Sequence, residues 1–414
     1  MNPNEPSKGA TIRFHGFEFG PTSFSCTAEA SDRDKPDVLH FSWDGFDIDV
    51  DADSVALALS TLCGTKYVKV GMELVVSESC RDAVAAFTRA DVSVKGTTPS
   101  LPPEKRDGPP VYLLNFSGGF DSLAAKALLP QEATKLVAID FGGWFQREAD
   151  FFQYFNPIVL KTDFRALKYD RASWTFMGAA AILFAKGLKA PHNVFGTILE
   201  AAPAQLAKKP GAGVFFSTPP FSDAGLSDVR ITNGLTEVGT AMTVLRFFPE
   251  IAGRSLESLA RPGSIKSYRK HLLIRLASKK LGITANLPSC KEPDAPKPTF
   301  GQTFGEDFLT FFEAKHLGRE TAGKLVRDIP EDVFRLADSL SLEFYEKLNT
   351  NFLASIPAGW LPTYLARLAE AGIVPYSERD WEEFDQVRAV LARYYPSIAG
   401  KPARKPLFAR LFSR

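Results

Sequence analysis

The sequence predicts an α/β protein with a parallel central sheet, preceded by a small β-rich domain and followed by a helical domain. Between residues 111 and 290, short strand-like runs alternate with helical runs, an arrangement typical of a parallel sheet with helices on both faces. Before this region, runs such as TIRFHGFEF alternate apolar and polar residues, which is typical of strands. After it, apolar residues recur at spacings of three and four, which indicates amphipathic helices.

Length and composition favour a globular protein with more than one domain. The chain has 414 residues, of which 45% are hydrophobic and 23% are charged. Two or three domains are expected for this length. The net charge of +1 predicts neither a nucleic-acid-binding surface nor a membrane-binding surface over the whole molecule.

Further features predict a cytoplasmic location. The sequence contains no run of about 18 apolar residues, so no membrane span is expected. The N-terminal residues lack the apolar core of a secretory signal. The four cysteines are scattered and form no CxxC pair, which favours reduced thiols and excludes a local zinc knuckle.

Two proline-rich stretches predict the domain boundaries, because proline and polar residues mark linkers. They lie at residues 97–110 and 291–302, so the predicted domains are 1–96, 111–290 and 303–414. In the first domain, ADSVALALSTLCG is predicted to be a helix that stops at Gly64. The basic C-terminal end, KPARKPLFARLFSR, is either a solvated tail or a contact for nucleic acid or a partner.

The order of elements in the middle domain follows from its apolar runs. The predicted strands are VYLLNF, KLVAIDF, NPIVLKTDF and HNVFGTILE. The predicted helices between them are DSLAAKALL, READFFQYF and SWTFMGAAAILFAKGL.

The segment NFSGGFDS, residues 115–122, lies between the first of these strands and the first helix. Backbone N–H groups at the start of a helix have no intrahelical partner and favour an anion. Gly118 and Gly119 lack a Cβ, so phosphate oxygens can approach the backbone closely. Ser117 and Ser122 can add hydroxyl donors, and Asp121 is suited to hold Mg²⁺ beside the phosphates. We therefore expect this segment to bind a phosphate group.

The segment differs from two common phosphate-binding motifs. It lacks the Gly-Lys-Ser/Thr of a Walker A loop, and it is not the GxGxxG of dinucleotide-binding proteins. Its SGGFDS instead resembles the SGGxDS of the PP-loop ATP pyrophosphatases, whose loop holds the pyrophosphate of ATP. The resemblance implies adenylation: a substrate oxygen attacks the α-phosphorus, pyrophosphate leaves, and a nucleophile then displaces AMP.

Three further segments resemble the 7-cyano-7-deazaguanine synthase (QueC) family, so that the resemblance covers about residues 111–290. IDFGGWFQRE, residues 139–148, is similar to the family's segment after the second strand. The run from residue 170 to 200 matches an arginine and a glycine of the family at Arg171 and Gly196. In SYRKHLLIRLASKKLGITANLPSC, residues 267–290, Lys270 is the nearest match to the family's lysine.

The chain also departs from that family. QueC enzymes hold a structural zinc with four cysteines, whereas here Cys290 stands alone. A lone thiolate cannot hold a structural zinc, so zinc is not expected and Cys290 is interpreted as an inert remnant. The added flanking domains indicate a relative with another acceptor. Some QueC-like proteins of antiviral operons are thought to attach a deazaguanine to a protein N-terminus, and the chain resembles that branch more than the queuosine pathway.

The resemblance implies a set of site residues. The catalytic candidates are Asp121, Lys270 and Arg171, with Lys266 and Arg269 as competitors for the role of the basic residues. Glu237 is the candidate for binding the deazapurine, and Asp121 is the candidate Mg²⁺ ligand. The residues expected to bind ATP are Ser117, Gly118, Gly119, Phe120, Asp121, Ser122, Ile139, Asp140, Phe141, Gly196 and Thr197, with adenine read by backbone groups near Ile139 and Asp140.

The function expected from these residues is ATP-dependent, AMP-forming activation of a carboxylate on a 7-deazaguanine, followed by coupling to an amine. The amine is either ammonia or the N-terminus of a partner protein, and antiphage defence is the biological setting implied. A homodimer is expected because PP-loop enzymes are commonly dimers. Two alternatives stay open. A tRNA-modifying PP-loop enzyme is disfavoured by the absence of cysteine pairs and of a strongly basic domain. The other alternative is an ATP-binding sensor without turnover.

Overall fold

The computed structural model describes residues 9–44, 48, 50–100, 110–206, 219–261, 263–293 and 297–398. The basic C-terminal tail and most of the predicted first linker lie outside these residues. The chain forms two compact units. The first comprises Met1–Ser117, Gln131–Val194 and Phe215–Val229, and the second comprises Gly118–Pro130, Phe195–Val214 and Arg230–Arg414.

The strands of the described residues form one ten-stranded sheet in the first unit, in the order β10-β9-β6-β7-β8-β3-β2-β1-β4-β5. The strands are β1 (Thr11–Gly20), β2 (Ser23–Ala30), β3 (Asp37–Trp43), β4 (Lys69–Ser77), β5 (Asp91–Thr98), β6 (Tyr112–Asn115), β7 (Thr134–Asp140), β8 (Ile158–Thr162), β9 (His192–Val194) and β10 (Ser227–Val229). Six of the nine neighbouring pairs are parallel. The prediction of an α/β protein is therefore confirmed, and the sheet is mostly parallel.

The N-terminal strands continue the same sheet as the strands of the middle segment. Strands β1, β2 and β3 are antiparallel neighbours, and β3 then pairs antiparallel with β8, with Phe41 opposite Thr162 and Trp43 opposite Leu160. The sheet thus joins two segments that the sequence places in separate domains, and the predicted domain boundaries stay a prediction.

The helices are distributed over both units. They are α1 (Ala52–Cys63), α2 (Glu78–Thr88), α3 (Phe120–Leu128), α4 (Gln146–Phe152), α5 (Ala179–Phe184), α6 (Pro203–Leu206), α7 (Glu237–Phe247), α8 (Ala252–Leu259), α9 (Ile265–Leu281), α10 (Phe304–Leu325), α11 (Glu331–Ser339), α12 (Leu361–Glu370) and α13 (Glu378–Leu391). Among the described residues, no helix combines the length and the apolar character that crossing a membrane requires.

In the first unit, α1 ends where the sequence predicts. Gly64 has a φ of 50°, and its N–H donates to the carbonyl of Ser60. A Cβ at this position would collide with the carbonyl oxygen of Ala172, so only glycine fits. Helices α4 and α5 end before the predicted helical runs do, at Phe152 and Phe184, and α5 also starts later because Trp174–Gly178 forms a 3-10 turn.

In the second unit, the predicted C-terminal helices are present and pack around aromatic side chains. Phe308 of α10 lies 4.8 Å from the ring of Tyr345 and 6.3 Å from that of Phe384, between ring centroids. All three side chains are buried, which is the large apolar area on which such a helical core depends. Helix α10 is interrupted at Gly318, whose φ is 83°.

Candidate functional site

The chain order reverses between β6 and β9, within the parallel part of the sheet formed by β10, β9, β6, β7 and β8. Strand β6 pairs in parallel with β7 on one side and with β9 on the other. The amide of Asn115, at the end of β6, donates to Oδ1 of Asn193 at 2.7 Å and to the carbonyl of Val194 at 3.0 Å. Ligands of open α/β sheets bind where the order reverses, beyond the carboxyl ends of the strands. The segments that start at Asn115 and Val194 are therefore the first place to look for a site.

The segment after β6 forms a glycine-dependent turn followed by α3. Gly118 has a φ of 77°, a conformation that favours glycine. Gly119 is the N-cap residue of α3 and has no capping side chain. The hydroxyl of Ser255, a buried residue of α8, donates to the carbonyl of Gly118 at 2.6 Å. The hydroxyl of Ser122 donates to the carbonyl of Gly119 at 2.9 Å. The turn is thus held by side chains from two helices.

The segment after β9 approaches the start of α3 so closely that it requires a glycine. A Cβ on Gly196 would lie 2.6 Å from the carbonyl carbon of Asp121 and 2.7 Å from the backbone nitrogen of Ser122. The hydroxyl of the next residue, Thr197, donates to Oδ1 of Asn233 at 2.6 Å. The structure therefore brings Gly196, which the sequence predicts for nucleotide binding, against the backbone of the predicted phosphate loop.

Asp121 lies in the first turn of α3 and is fixed by α7. The hydroxyl of Thr240, which is fully buried, donates to Oδ1 of Asp121 at 3.1 Å. Burial raises the pKa of Asp121, Glu237 raises it further, and Lys270 opposes the shift. A carboxyl with a raised pKa and a fixed orientation is a common feature of functional sites.

Lys270 of α9 pairs with Glu237, the first residue of α7. Its Nζ lies 3.4 Å from Oε1 of Glu237 and 5.6 Å from the ring centroid of Phe120, and only 5% of the residue is exposed. Burial lowers the pKa of Lys270, but the carboxylates of Glu237 and Asp121 outweigh this effect and the pKa is raised. The ammonium group therefore stays charged near the start of α3.

Arg269, the neighbour of Lys270, has carboxylate partners on α10. Its Nε donates to Oε1 of Glu313 at 2.6 Å, and its Nη1 lies 3.2 Å from Oε1 of Glu306. The guanidinium and Glu313 are buried, whereas Glu306 is partly exposed, and these contacts join α9 to α10. Lys266, the other competitor for the catalytic role, is exposed near the start of α9.

Glu200 belongs to the same group of charges, and the sequence analysis missed it. Its Oε1 accepts a hydrogen bond from the backbone N–H of Glu237 at 2.9 Å, whereas its buried Oε2 has no hydrogen-bond partner among the described residues. Burial and then Glu237 raise the pKa of Glu200 well above its usual range. The residue was missed because it ends the apolar run HNVFGTILE, which predicts only a strand. Thr240 and Ser255 were missed because no local pattern marks them.

Carboxylates outnumber cations in this part of the second unit. The charged side chains are Asp121, Glu200, Glu237, Glu306 and Glu313, with Arg269, Lys270 and the exposed Lys266 as the cations. Burial also raises the pKa of Glu313, against the opposing effect of Arg269. Excess buried negative charge is costly, so part of it must be removed by protons or by a bound cation.

The other predicted site residues lie in the first unit. Ser117 lies two residues after the end of β6 and is the last residue of the segment Met1–Ser117 of this unit. Ile139 and Asp140 are the last two residues of β7. Oδ1 of Asp140 accepts from the backbone N–H of Gly142 at 2.8 Å. The ring of Phe141 packs against those of Phe164 and Phe176, and Arg171 is exposed at the end of a 3-10 turn.

The predicted metal ligand can be compared with the residues around it. The described residues contain no group of three or more His, Cys, Asp or Glu side chains placed to hold a metal ion. Mg²⁺ in nucleotide sites is bound through one or two carboxylates, water and substrate phosphates. The single carboxylate of Asp121, bonded to Thr240 through Oδ1, fits that requirement.

Comparisons of the chain with protein-family models, curated proteins and solved structures found no match. The geometry of the loop, of Asp121 and of the Lys270–Glu237 pair is therefore the structural basis for assigning a function.

Proposed function

We propose that this protein is an ATP-dependent, AMP-forming ligase in which the SGGFDS loop holds the pyrophosphate of ATP. The observation that carries the proposal is the conformation of this loop: it follows a central parallel strand, turns at Gly118 with a φ of 77°, and leads directly into α3. Backbone N–H groups at such a helix start favour phosphate. The close approach of Gly196 to Asp121 supports the same role, because no side chain there crowds the loop.

The proposed reaction has two steps that balance without a further reactant. A carboxylate oxygen of the substrate attacks the α-phosphorus of ATP, and the bond to pyrophosphate breaks. An amine nitrogen then attacks the acyl carbon of the adenylate, AMP leaves, and the nitrogen loses a proton. The reaction joins carbon to nitrogen and releases AMP and pyrophosphate.

Lys270 and Asp121 act on the charges that develop in the first step. The ammonium of Lys270 is charged and buried, with Glu237 as its partner at 3.4 Å. Oxygens of a bound triphosphate would compete with Glu237 for this ammonium, and electrostatic stabilisation by such preorganised groups is often a large catalytic term. Asp121 would hold Mg²⁺, which neutralises phosphate charge when bound.

The substrate class rests on the sequence resemblance to the 7-cyano-7-deazaguanine synthase family. On that basis, the carboxylate belongs to a 7-deazaguanine, Glu237 accepts hydrogen bonds from the base, and Ile139 and Asp140 read adenine. Ammonia and a protein N-terminus are the two proposed amines. The cytoplasmic location, the homodimer and the role in antiphage defence belong to the same proposal.

The test is to incubate the protein with Mg²⁺, ATP labelled at the α-phosphate, 7-carboxy-7-deazaguanine and ammonium, and to measure AMP and pyrophosphate. We expect AMP without ADP, dependent on the carboxylate. Asp121→Asn is expected to abolish pyrophosphate release without loss of the fold. Asp338→Asn, the same change at an exposed position of α11, should leave it unchanged.

Two results would overturn the proposal. Formation of ADP would show cleavage at a different phosphate. Tight binding of ATP with no AMP, across carboxylates, amines and added tRNA, would favour the alternative of an ATP sensor.

A further inference from the structure

The C-terminal half of α9 lines an open cavity of about 800 Å³. His271, Arg275, Ser278 and Lys279 form one wall, and the segment that follows the helix, including Asn286 and Cys290, forms the other. His271, Arg275 and Ser278 lie at spacings of four and three, and Lys279 lies four residues after Arg275, so the four residues share one side of α9. Lys270 is not among the lining residues.

The described lining of the cavity carries two cations, Arg275 and Lys279, and no carboxylate. Arg275 and Lys279 are exposed and lie four residues apart, a spacing that places Cβ atoms about 5–6 Å apart. Among the described residues neither forms an ion pair and no Asp or Glu lines the cavity. Glu292, whose charge acts on Cys290, is paired with Lys324. Two like charges at this spacing are unfavourable, so an anion placed between them would relieve the repulsion.

Polar groups that could bind such an anion accompany the two cations. His271 is 7% exposed, and burial followed by Arg275 lowers its pKa, so its imidazole is neutral at neutral pH. A neutral imidazole offers one donor and one acceptor. The hydroxyl of Ser278 is buried and has no hydrogen-bond partner among the described residues. A hydroxyl of this kind lacks a compensating hydrogen bond.

The opposite wall is held in place by α8. The backbone carbonyl of Asn286 packs directly on Gly253, where a Cβ would collide with it. The segment from residue 283 to 290 has no helix or strand, and this contact holds it against α8.

We propose that this cavity binds a small anionic molecule through a phosphate or carboxylate group placed between Arg275 and Lys279. The volume lies within the range of about 300–1,000 Å³ of small-molecule sites. A planar carboxylate or a tetrahedral phosphate presents several oxygens to two cations at once. This site goes beyond the proposed function and uses none of the residues assigned to ATP.

Cys290 provides a reporter for the test. It is exposed and lines the cavity, whereas Cys26, Cys63 and Cys80 are buried. The alkylation rate of Cys290 by iodoacetamide can be followed by mass spectrometry of the intact protein. The probes are inorganic phosphate and succinate, added separately. We expect at least one of them to slow alkylation in a saturable way, by about threefold or more, and the effective probe identifies the anion class.

Two matched variants connect the protection to the cavity. The double variant Arg275→Gln, Lys279→Gln is expected to weaken binding of the effective probe, measured as protection of Cys290, by at least about tenfold. Lys35→Gln with Lys315→Gln removes the same charge at exposed positions outside the cavity and should retain full protection. Because all four residues are exposed, thermal unfolding should show the same fold in both variants.

Three outcomes would overturn the proposal. One is the absence of saturable protection by either probe. Another is protection in the Arg275→Gln, Lys279→Gln variant that equals the protection in the wild-type protein. The third is loss of protection in Asp121→Asn, which would place the anion at the loop. Persistence of protection in Asp121→Asn supports the cavity site whether or not the protein forms AMP.

Discussion

The hydroxyl of Thr240 donates a hydrogen bond to Oδ1 of Asp121 at 3.1 Å and is itself fully buried. Thr240 lies on α7 and Asp121 on α3, so one helix orients the carboxylate at the start of the other. Since the carboxylate also lies near Lys270 and Glu237, its orientation decides which charges it faces. Thr240 is thus a positioning residue for the proposed site.

Thr240→Val removes this hydroxyl and keeps the shape of the side chain. Leaving Asp121 without its donor should cost about 1–3 kcal/mol, and we expect kcat for pyrophosphate release to fall by about tenfold or more. The Mg²⁺ concentration at half-maximal rate should rise, which a purely structural role would not cause. Thr240→Ser should restore the rate. Equal rates in the valine and wild-type proteins would contradict the positioning role.

Gly196→Ala tests the close approach to Asp121. Because the new Cβ would lie 2.6 Å from a backbone carbon, the loop must shift, and overpacking of this kind costs about 1–3 kcal/mol. Urea unfolding should show this loss, together with weaker ATP binding. The control is Gly323→Ala in α10, where a Cβ meets no atom within 4 Å. This variant should have the same free energy of unfolding as the wild type, or a higher one. Equal stabilities of the two variants would show that Gly196 is not confined.

The raised pKa of Glu200 predicts a pH dependence of stability. Burial and Glu237 disfavour its charged form in the folded state, whereas an unfolded glutamate has a pKa of about 4.3. The protonated carboxyl therefore contributes its full stability below that value, and this contribution is lost as the pH rises through the folded pKa.

The free energy of unfolding of the wild type should accordingly fall, relative to Glu200→Gln, as the pH rises from about 5 to about 8. Glutamine keeps the acceptor for the N–H of Glu237 but has no proton to lose. Taking the difference in free energy of unfolding between the two proteins removes the contribution of the histidines, because both proteins contain the same histidines. A constant difference over this range would show that Glu200 is not protonated in the folded protein.

Arg367 and Trp360 hold the carboxyl end of α3. Nη1 of Arg367 donates to the carbonyl of Ala127 at 2.6 Å, and Nε1 of Trp360 donates to that of Leu128 at 2.8 Å. Arg367→Ala should therefore lower the free energy of unfolding by about 1–3 kcal/mol. Arg246→Ala breaks only an exposed ion pair with Glu370 and should cost no more than about 1 kcal/mol. Denaturant titrations compare the two, and equal losses would contradict the anchoring of α3.

The sequence predicted those helices and turns that are determined by residues close together in the chain. The run DSLAAKALL became α3, and Gly64 ended α1, because helix periodicity and a glycine stop act over a few residues. The glycines at the loop were predicted from the same strand–turn–helix pattern. The C-terminal helices were likewise evident from apolar spacing.

Relationships between distant segments were not predictable in this way. The antiparallel pairing of β3 with β8 joins residues about 120 positions apart, and no periodicity in either strand encodes it. Similarly, the sequence offered Lys270 and Glu237 as separate candidates but not as an ion pair. Glu200 was missed for a related reason, since its role depends on the start of a helix 37 residues away.

The junction of β3 with β8 also has a consequence for how the protein tolerates shortening. If the first three strands were deleted, β8 would become a bare edge whose unpaired amides and carbonyls could recruit a strand of another molecule. The N-terminal hairpins therefore cover the edge of β8. A truncated chain starting at residue 110 should aggregate and should not fold into an active domain.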